Sequence, residues 1–178
     1  MAKPFVKDVA DDGQRMRRQL RAALAVIVSI TVTACSAMSS SLNDTRAVVT
    51  TVLAVSDGDS LRVDRVGRVR LIGIDAPETD GGCFAQEATT ALRDLLAEDA
   101  PIRIVYDIDR SDRYGRTLAY VYRLEDDLFV NAELLRQGSA RVLTVRPNVA
   151  HVAEFMGIER EARESSRGLW GACAGATG

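Results

Sequence analysis

The sequence predicts a mainly β domain of the α+β class, and two features of the chain lead to this expectation. Short, apolar, β-branched runs separated by turns suggest five strands, and segments with apolar residues at helical spacing suggest about three helices. Five strands interleaved with helices fit an OB barrel, whose open face commonly binds oligonucleotides. At 178 residues the chain is long enough for one such domain with appendages.

The first three strands follow one another closely. Val48 to Val55 is β-branched and apolar, and it ends at a turn that contains glycine. Residues 61–63 and 69–74 flank the polar turn 64–67, which also contains glycine and is therefore typical of a hairpin. These runs predict strands one to three.

The second half of the predicted domain alternates helices and strands. The first helix is stopped by Pro101, and two further strands are expected at residues 102–106 and 116–122. A short helix over residues 130–137 ends at Gly138, which is well placed as a C-cap. The apolar stripes comprise Phe84, Ala88, Ala91, Leu92, Leu95 and Leu96 in the first helix, and Val152, Phe155, Met156 and Ala162 in the last.

The charge of the body of the protein limits how it can bind nucleic acid. The formal net charge is -2, but residues 1–34 hold 6 of the 23 basic and 3 of the 25 acidic residues, which leaves -5 for the remainder. Such a body has no broad basic surface, which is the usual footprint of non-specific nucleic-acid binders. Any recognition of phosphate must therefore be local.

The single histidine also argues against a Ser-His-Asp hydrolase and against a zinc site built on several histidines.

Three compact segments concentrate carboxylates and arginines. They are Val55–Ser60 (VSDGDS), Arg68–Thr79 (RVRLIGIDAPET) and Asp112–Arg116 (DRYGR). Carboxylate oxygens suit hard divalent cations such as Ca²⁺ or Mg²⁺, and a further carboxylate can orient or deprotonate water. Guanidinium groups bind phosphate and stabilise the charge that grows in a transition state. Together these groups meet the needs of phosphodiester cleavage.

The order and spacing of these segments resemble the staphylococcal nuclease (thermonuclease) family. The resemblance extends from residue 45 to residue 171 and includes residues 131–138 and Gly168–Trp170. It implies an OB-fold endonuclease that uses one Ca²⁺ ion, acts on DNA and RNA, and leaves 3′-phosphate ends. One departure is that residues 139–146 contain no tyrosine, where family members place aromatic residues beside the nucleotide.

The resemblance also implies a role for each residue of the motifs. The implied residues are Asp59, Asp75 and the backbone carbonyl of Ala76 for the metal, Arg70 and Arg116 for the phosphate, and Glu78 for the attacking water. Tyr114 is a candidate contact to the nucleotide, although a tyrosine near a strand also packs in many cores. Asp57 could hold a metal-bound water or only form the turn.

The predicted site places a requirement on the third strand. Pro77 cannot donate to a β-ladder, so the strand should end near Asp75, and it biases Ala76 toward an extended backbone. Strict alternation would put Arg70 and Asp75 on opposite faces of that strand. Both can meet one site only if the strand bulges or twists, and Gly73 is the expected place.

Outside this site we expect His151 to be exposed and Trp170 to pack the C-terminus onto the barrel.

The N-terminal region is typical of an export signal. Basic residues at positions 15, 17, 18 and 21 precede 13 uncharged residues, a stretch too short to span a bilayer but typical of a signal peptide. The segment 32–35 (VTAC) looks like a bacterial lipobox, which would make Cys35 an acylated N-terminus and anchor an exported protein to a membrane. Ordinary cleavage is the alternative, and Met16 is a possible true start. The predicted organisation is an export signal at 1–34, a lipidated cysteine and tether at 35–44, the OB domain at 45–173 and a tail at 174–178.

The three cysteines are then divided between two functions. If Cys35 carries lipid, Cys83 and Cys173 remain as an even pair in an oxidising environment, and a disulfide between them would close a loop of 90 residues. Two unpaired thiols are the alternative. We expect a monomer. The rival functions are a non-catalytic OB-fold lipoprotein that binds nucleic acid and a surface lipoprotein that binds a protein partner.

Overall fold

The computed structural model describes residues 47–78 and 81–174. The chain divides after Asp44 into two units, and the described residues all belong to the second unit. The predicted export signal, Cys35 and the tether to residue 44 lie outside the described residues, as do residues 175–178 of the predicted tail. No helix in the described ranges is long and apolar enough to cross a membrane.

Eight strands and four helices are present in the described ranges. The strands are β1 Ala47–Val55, β2 Ser60–Val63, β3 Gly67–Leu71, β4 Gly73–Asp75, β5 Pro101–Val105, β6 Thr117–Arg123, β7 Leu128–Phe129 and β8 Arg141–Leu143. The helices are α1 Ala85–Leu95, α2 Val130–Gln137, α3 Val152–Glu164 and α4 Leu169–Ala172. The three helices predicted from sequence are α1 to α3, whereas α4 is an additional single turn.

Five of the strands close into a barrel. β1 pairs antiparallel with β2 and with β5, β2 with β3, and β5 with β6, while a parallel pairing of β3 with β6 closes the ring. This is the five-stranded OB barrel that the sequence predicts. The alternation of side chains is clear in β2, where Leu61 and Val63 are buried in the core and Arg62 between them is exposed.

The predicted third strand is interrupted, because β3 ends at Leu71 and β4 begins at Gly73 with a φ of 81°. β4 pairs with β8 instead of continuing along the barrel, and β8 is a strand that the sequence pattern did not predict. The buried Asn131 of α2 covers the gap, since its side-chain amide donates to the carbonyl of Ile72 at 2.9 Å and its oxygen accepts from a backbone N–H of β6 at 2.9 Å. The irregularity expected at Gly73 is therefore a break between two strands.

The helices cover the barrel with fully buried side chains, among them Leu92 of α1, Leu134 of α2 and Phe155 of α3. The expectation that His151 is exposed was wrong. Its ring is half-buried and lies 4.5 Å from the ring of Tyr120 and 5.7 Å from that of Phe155, measured between centroids. Sequence reasoning missed this contact because β6 and the start of α3 meet only in the folded barrel.

The segment 169–173 is attached to the rest of the domain at several points. A disulfide joins Cys83 to Cys173 across a Cα–Cα distance of 6.0 Å. Leu169 of α4 is buried, and its N–H donates to the carbonyl of Gly138 at 2.9 Å. Trp170 is half-buried and contacts the guanidinium group of Arg163, which lies 4.1 Å from the ring centroid. Trp170 therefore packs the C-terminal segment against the domain, as the sequence suggests.

Candidate active site

Asp59 is placed by the tight turn between β1 and β2. The carboxylate of Asp57 accepts from the backbone N–H of Asp59 at 3.1 Å, which is a local turn contact. Gly58 lets this turn approach its neighbours, because a Cβ there would come within 2.6 Å of the Ala76 Cβ and 2.9 Å of the Ala88 Cβ. The turn is thereby pressed against both the segment after β4 and the first helix.

The carboxylate of Asp59 is buried and bonded at both oxygens. Its Oδ2 accepts from the N–H of Ala76 at 2.8 Å and pairs with Nη2 of Arg70 at 2.9 Å. Its Oδ1 accepts from the hydroxyl of Ser60 at 3.0 Å. Burial raises the pKa of Asp59 to about 6, although the charge of Arg70 and the bond from Ala76 act in the opposite direction. The raised pKa therefore results from loss of solvent around the carboxylate, although Arg70 and Ala76 are its partners.

Arg70 lies between the two predicted metal-binding carboxylates. The same Nη2 that pairs with Asp59 also contacts Oδ1 of Asp75 at 2.8 Å, and Nη1 donates to the carbonyl of Ile74 at 2.9 Å. The break at Gly73 makes this possible, because it turns β4 so that Asp75 faces back toward Arg70. The structure therefore brings Asp59, Arg70 and Asp75 together as the sequence requires.

Arg116 is positioned by the loop before β6. Its Nε donates to Oδ2 of Asp112 at 2.7 Å, while Oδ1 of Asp112 accepts from the backbone N–H groups of Tyr114 and Arg116 at 2.9 and 3.0 Å. Burial alone would raise the pKa of Asp112, but these hydrogen bonds from Arg116 and Tyr114 hold it below its usual value. Since the pairing uses Nε, the terminal nitrogens of Arg116 can still face a ligand.

Arg70 and Arg116 line one cavity of about 200 Å³. Its lining also includes an aliphatic wall, to which several elements contribute, and further polar groups. The aliphatic members include Ile72, Leu118, Leu143 and Val145, and the further polar members are Asp109, Asp112, Arg146 and Asn148. An anion held by both guanidinium groups would therefore have an apolar surface beside it, an arrangement that suits a nucleotide.

Three further sequence-predicted residues do not line this cavity. Glu78 is exposed, and its backbone carbonyl accepts from Gly82 at 3.2 Å. Ala76 is buried and uses its N–H to bind Asp59. Tyr114 is 59% exposed, and its ring lies beside the guanidinium group of Arg116 at 5.7 Å rather than in the lining of the cavity.

Several residues of the cavity were missed by sequence reasoning. Leu118 of β6, Leu143 of β8 and Val145 of the loop after β8 are distant in sequence from Arg70, and no local motif marks them as members of the wall. Asp112 was considered only as a possible partner of Arg116. The one usable signal was that residues 139–146 contain no tyrosine. Leu143 and Val145 of this segment form part of the wall.

The donor groups fit a hard divalent cation in their chemistry. Within the described ranges no group of three or more His, Cys, Asp or Glu side chains is arranged to hold a metal ion by itself. Two carboxylates do converge, however, since Asp59 and Asp75 bind the same nitrogen of Arg70. Oxygen ligands of this kind suit Ca²⁺, which commonly completes its coordination with backbone carbonyls and water.

Comparison with known proteins identifies the family. The family model for staphylococcal nuclease homologues matches residues 68–172. The chain belongs to the staphylococcal nuclease family. The thermonuclease of Staphylococcus hyicus is 34% identical to it over 127 residues, which cover 67% of this chain and 73% of the relative. The thermonuclease of Staphylococcus intermedius is 31% identical over 159 residues, covering 85% and 93% of the two chains.

A Bacillus relative has a similar degree of identity. The endonuclease YncB of Bacillus subtilis (strain 168) is 33% identical over 140 residues, which cover 73% of this chain and 65% of the relative. Family membership and these relatives support a nuclease function for the chain. Within that family, this member has an aliphatic cavity wall at Leu143 and Val145.

Proposed function

We propose that this chain is a Ca²⁺-dependent endonuclease that hydrolyses phosphodiester bonds of DNA and RNA and leaves 3′-phosphate ends. The observation that carries the proposal is the position of Arg70, which contacts both Asp59 and Asp75 and lines the same cavity as Arg116. Arg70 thus contacts two carboxylates whose oxygens suit a hard cation, and the curated relatives of this barrel include thermonucleases.

Asp59, Asp75 and the backbone carbonyl of Ala76 would hold the cation. When bound, Ca²⁺ supplies electrostatic stabilisation for a phosphoryl oxygen and for the charge that develops on it. The fit is supported by the buried, bonded carboxylate of Asp59 and by the half-exposed side chain of Asp75, which leaves room for solvent and substrate.

Arg70, Arg116 and Glu78 would carry out the remaining chemistry. The two arginines bind the phosphate through paired N–H donors and stabilise its increased charge in the transition state. Glu78 orients a water molecule in line with the leaving oxygen and accepts its proton. The bond between phosphorus and the 5′-oxygen then breaks, the departing 5′-oxygen takes up a proton from solvent, and the phosphate stays on the 3′ side. Asp112 holds the side chain of Arg116 in place through Nε.

We also propose that the enzyme is a monomer that acts outside the cytoplasm, anchored to a membrane through a lipidated Cys35. The location and the lipid anchor rest on the sequence of residues 15–35 alone. Its test is the fate of the mature protein: the wild type should partition into detergent with the membranes, and Cys35→Ser should block its processing. Wild-type protein found only in the medium, with an unmodified N-terminus, would show ordinary secretion.

Cleavage of plasmid DNA in Ca²⁺ or in EGTA tests the catalytic proposal. The wild type should cut closed circular DNA in Ca²⁺ and be inactive in EGTA, while Asp75→Asn should be inactive in both and remain folded. Cleavage that is equally fast in EGTA would overturn the metal requirement. Binding of DNA without any cleavage in Ca²⁺ would favour a non-catalytic OB module.

A further inference from the structure

The β2–β3 hairpin carries an unusual concentration of arginine. Residues 60–71 contain four arginines and one acidic residue, although the body of the protein beyond residue 34 has a net charge of -5. Arg70 belongs to the cavity already described, but Arg62, Arg65 and Arg68 do not line it. All three are exposed, and we call them the arginine strip.

The register of the hairpin places part of this strip on the same face as the catalytic centre. Ser60 pairs with Arg70, and Arg62 pairs with Arg68 two positions further along both strands. Since side chains alternate, Arg62, Arg68 and Arg70 lie on one face of the hairpin, and the buried Leu61 and Val69 point into the barrel. The strip therefore extends outward from Arg70.

The arrangement is unfavourable for the hairpin taken alone. Arg62 and Arg68 are directly opposite each other, and like charges in that position destabilise a pair of strands. Within the described ranges Arg62 forms no ion pair, and Arg65 contacts only the adjacent Asp64 at 3.2 Å. Arg68 donates to the backbone carbonyl of Tyr114 at 3.0 Å, which joins the strip to the loop of Arg116. An external anion would relieve this repulsion.

We propose that the arginine strip binds the phosphate backbone of a single-stranded nucleic acid, outside the nucleotides held in the cavity. The proposal rests on the proposed nuclease function and adds a second, separate contact to its substrate. Alternate residues of a strand lie about 6.6 Å apart, which is comparable to the separation of neighbouring phosphates along an extended strand. The outer face of strands two and three is also a common nucleic-acid surface of OB barrels.

We assign the strip to nucleic acid rather than to an anionic membrane because the strip continues from the phosphate-binding centre. A polynucleotide whose scissile phosphate lies at Arg70 has further phosphates on either side, and one side runs along the face that holds Arg68 and Arg62. A membrane surface would need no such alignment.

The test compares two double variants of the full chain. Arg62→Gln/Arg65→Gln removes two strip charges without touching Arg68, Arg70 or Arg116. Arg93→Gln/Arg160→Gln removes two exposed charges on helices α1 and α3 and is the matched control. KM and kcat are measured for a trinucleotide and for a single strand of about 20 nucleotides, between about 50 and 200 mM salt.

The strip variant should raise KM for the long strand by about 5–10-fold at low salt, with kcat unchanged, and leave KM for the trinucleotide unchanged. The slope of log KM against log salt should fall by about 1.4, because each lost phosphate contact on a single strand removes about 0.7. The control should behave as the wild type. An unchanged KM for the long strand, or an equal rise for both substrates, would overturn the proposal.

Two further measurements separate the remaining outcomes. If the wild type cleaves neither substrate, the proposed catalytic function fails, and fluorescence anisotropy of the long strand in EGTA then tests the strip by itself. Equal affinities of the wild type, the strip variant and the control variant in that assay would overturn the proposed role of the strip. If the strip variant loses binding to phosphatidylglycerol vesicles while KM for the long strand stays unchanged, the strip is a membrane surface and the proposal is wrong.

Discussion

Arg70 and Asp75 form an ion pair of 2.8 Å although they lie five positions apart in what the sequence presents as one strand. An uninterrupted strand would direct the two side chains to opposite faces. The chain instead breaks after Leu71, and Gly73 adopts a φ of 81° that turns β4 away from the barrel. The catalytic centre therefore depends on a backbone feature as much as on its charged side chains.

Replacing Gly73 by alanine should destabilise the domain by about 2–4 kcal/mol and lower kcat. Alanine is strained at this φ, and its Cβ would lie 2.6 Å from the ring of Phe155. Gly67→Ala is a matched control, since Gly67 has a φ of 88° but no atom within 4 Å of an added Cβ, so this substitution should cost about 1 kcal/mol. Urea unfolding of both variants measures the difference. Equal losses would show that the contact with Phe155 has no effect.

Asp59→Asn should stabilise the metal-free domain while it abolishes Ca²⁺-dependent cleavage. Burial raises the pKa of Asp59 to about 6, so the ionised carboxylate present at pH 7 costs the folded state on the order of 1–3 kcal/mol. Asparagine keeps an oxygen for the N–H of Ala76 and removes that charge. Thermal unfolding in EGTA at pH 7 should show a rise in Tm of several degrees.

The higher stability of Asp59→Asn relative to the wild type should disappear at pH 4, because Asp59 of the wild type is then protonated in the folded state. Ca²⁺ should raise the Tm of the wild type only. A variant that is less stable than the wild type in EGTA at pH 7 would contradict the assigned cost of this charge.

Arg116→Lys should lower kcat/KM by at least about 100-fold with little change in stability. A lysine ammonium cannot donate to Asp112 through one nitrogen and present a planar pair of donors to phosphate through two others. Arg113→Lys, which alters the exposed neighbour in the same loop, should retain near-normal turnover. Similar activities for the two variants would mean that Arg116 only supports the loop.

Asp112 should make the stability of the domain depend on pH in the acid range. Hydrogen bonds from Arg116 and Tyr114 outweigh burial and lower its pKa, so the folded state favours the ionised form. Its contribution is therefore complete above the pKa of the unfolded chain, about 4, and is lost as the pH falls through the lower pKa of the folded state.

The measurement for Asp112 is urea unfolding between pH 7 and pH 2.5. The wild type should be more stable than Asp112→Asn at pH 7, and the difference should shrink below about pH 4. Asp94→Asn, which changes an exposed acid on α1, is the control and should show no such convergence. A difference between wild type and Asp112→Asn that stays constant with pH would refute this role.

The disulfide between Cys83 and Cys173 should contribute about 3–5 kcal/mol to stability, because it closes a loop of 90 residues. It links the segment after Glu78 to the C-terminus, so the double variant Cys83→Ser/Cys173→Ser should unfold at lower urea concentration. Alkylation followed by intact-mass analysis, with and without reductant, should find no free thiol at these two positions before reduction. Two free thiols in protein purified under oxidising conditions would rule out the bridge.

Much of the fold and the chemistry of the site could be predicted from local sequence. β-branched runs, turn residues and apolar stripes determine the five barrel strands and the helices α1 to α3, because these signals depend on residues within a few positions of each other. The same is true of the acidic and basic residues, since their type fixes which ligands they suit. The resemblance to the staphylococcal nuclease family implied that Asp59, Arg70 and Asp75 belong to one centre, and the structure brings them together.

Only the tertiary structure decided how these groups are arranged. The parallel pairing of β3 with β6 brings Arg70 and Arg116 to one cavity, and β8 and the loop after it supply its aliphatic wall at Leu143 and Val145. The partial burial of His151 and the raised pKa of Asp59 likewise result from contacts between distant segments. Such contacts form only when the barrel closes, so no short stretch of sequence contains a signal for them.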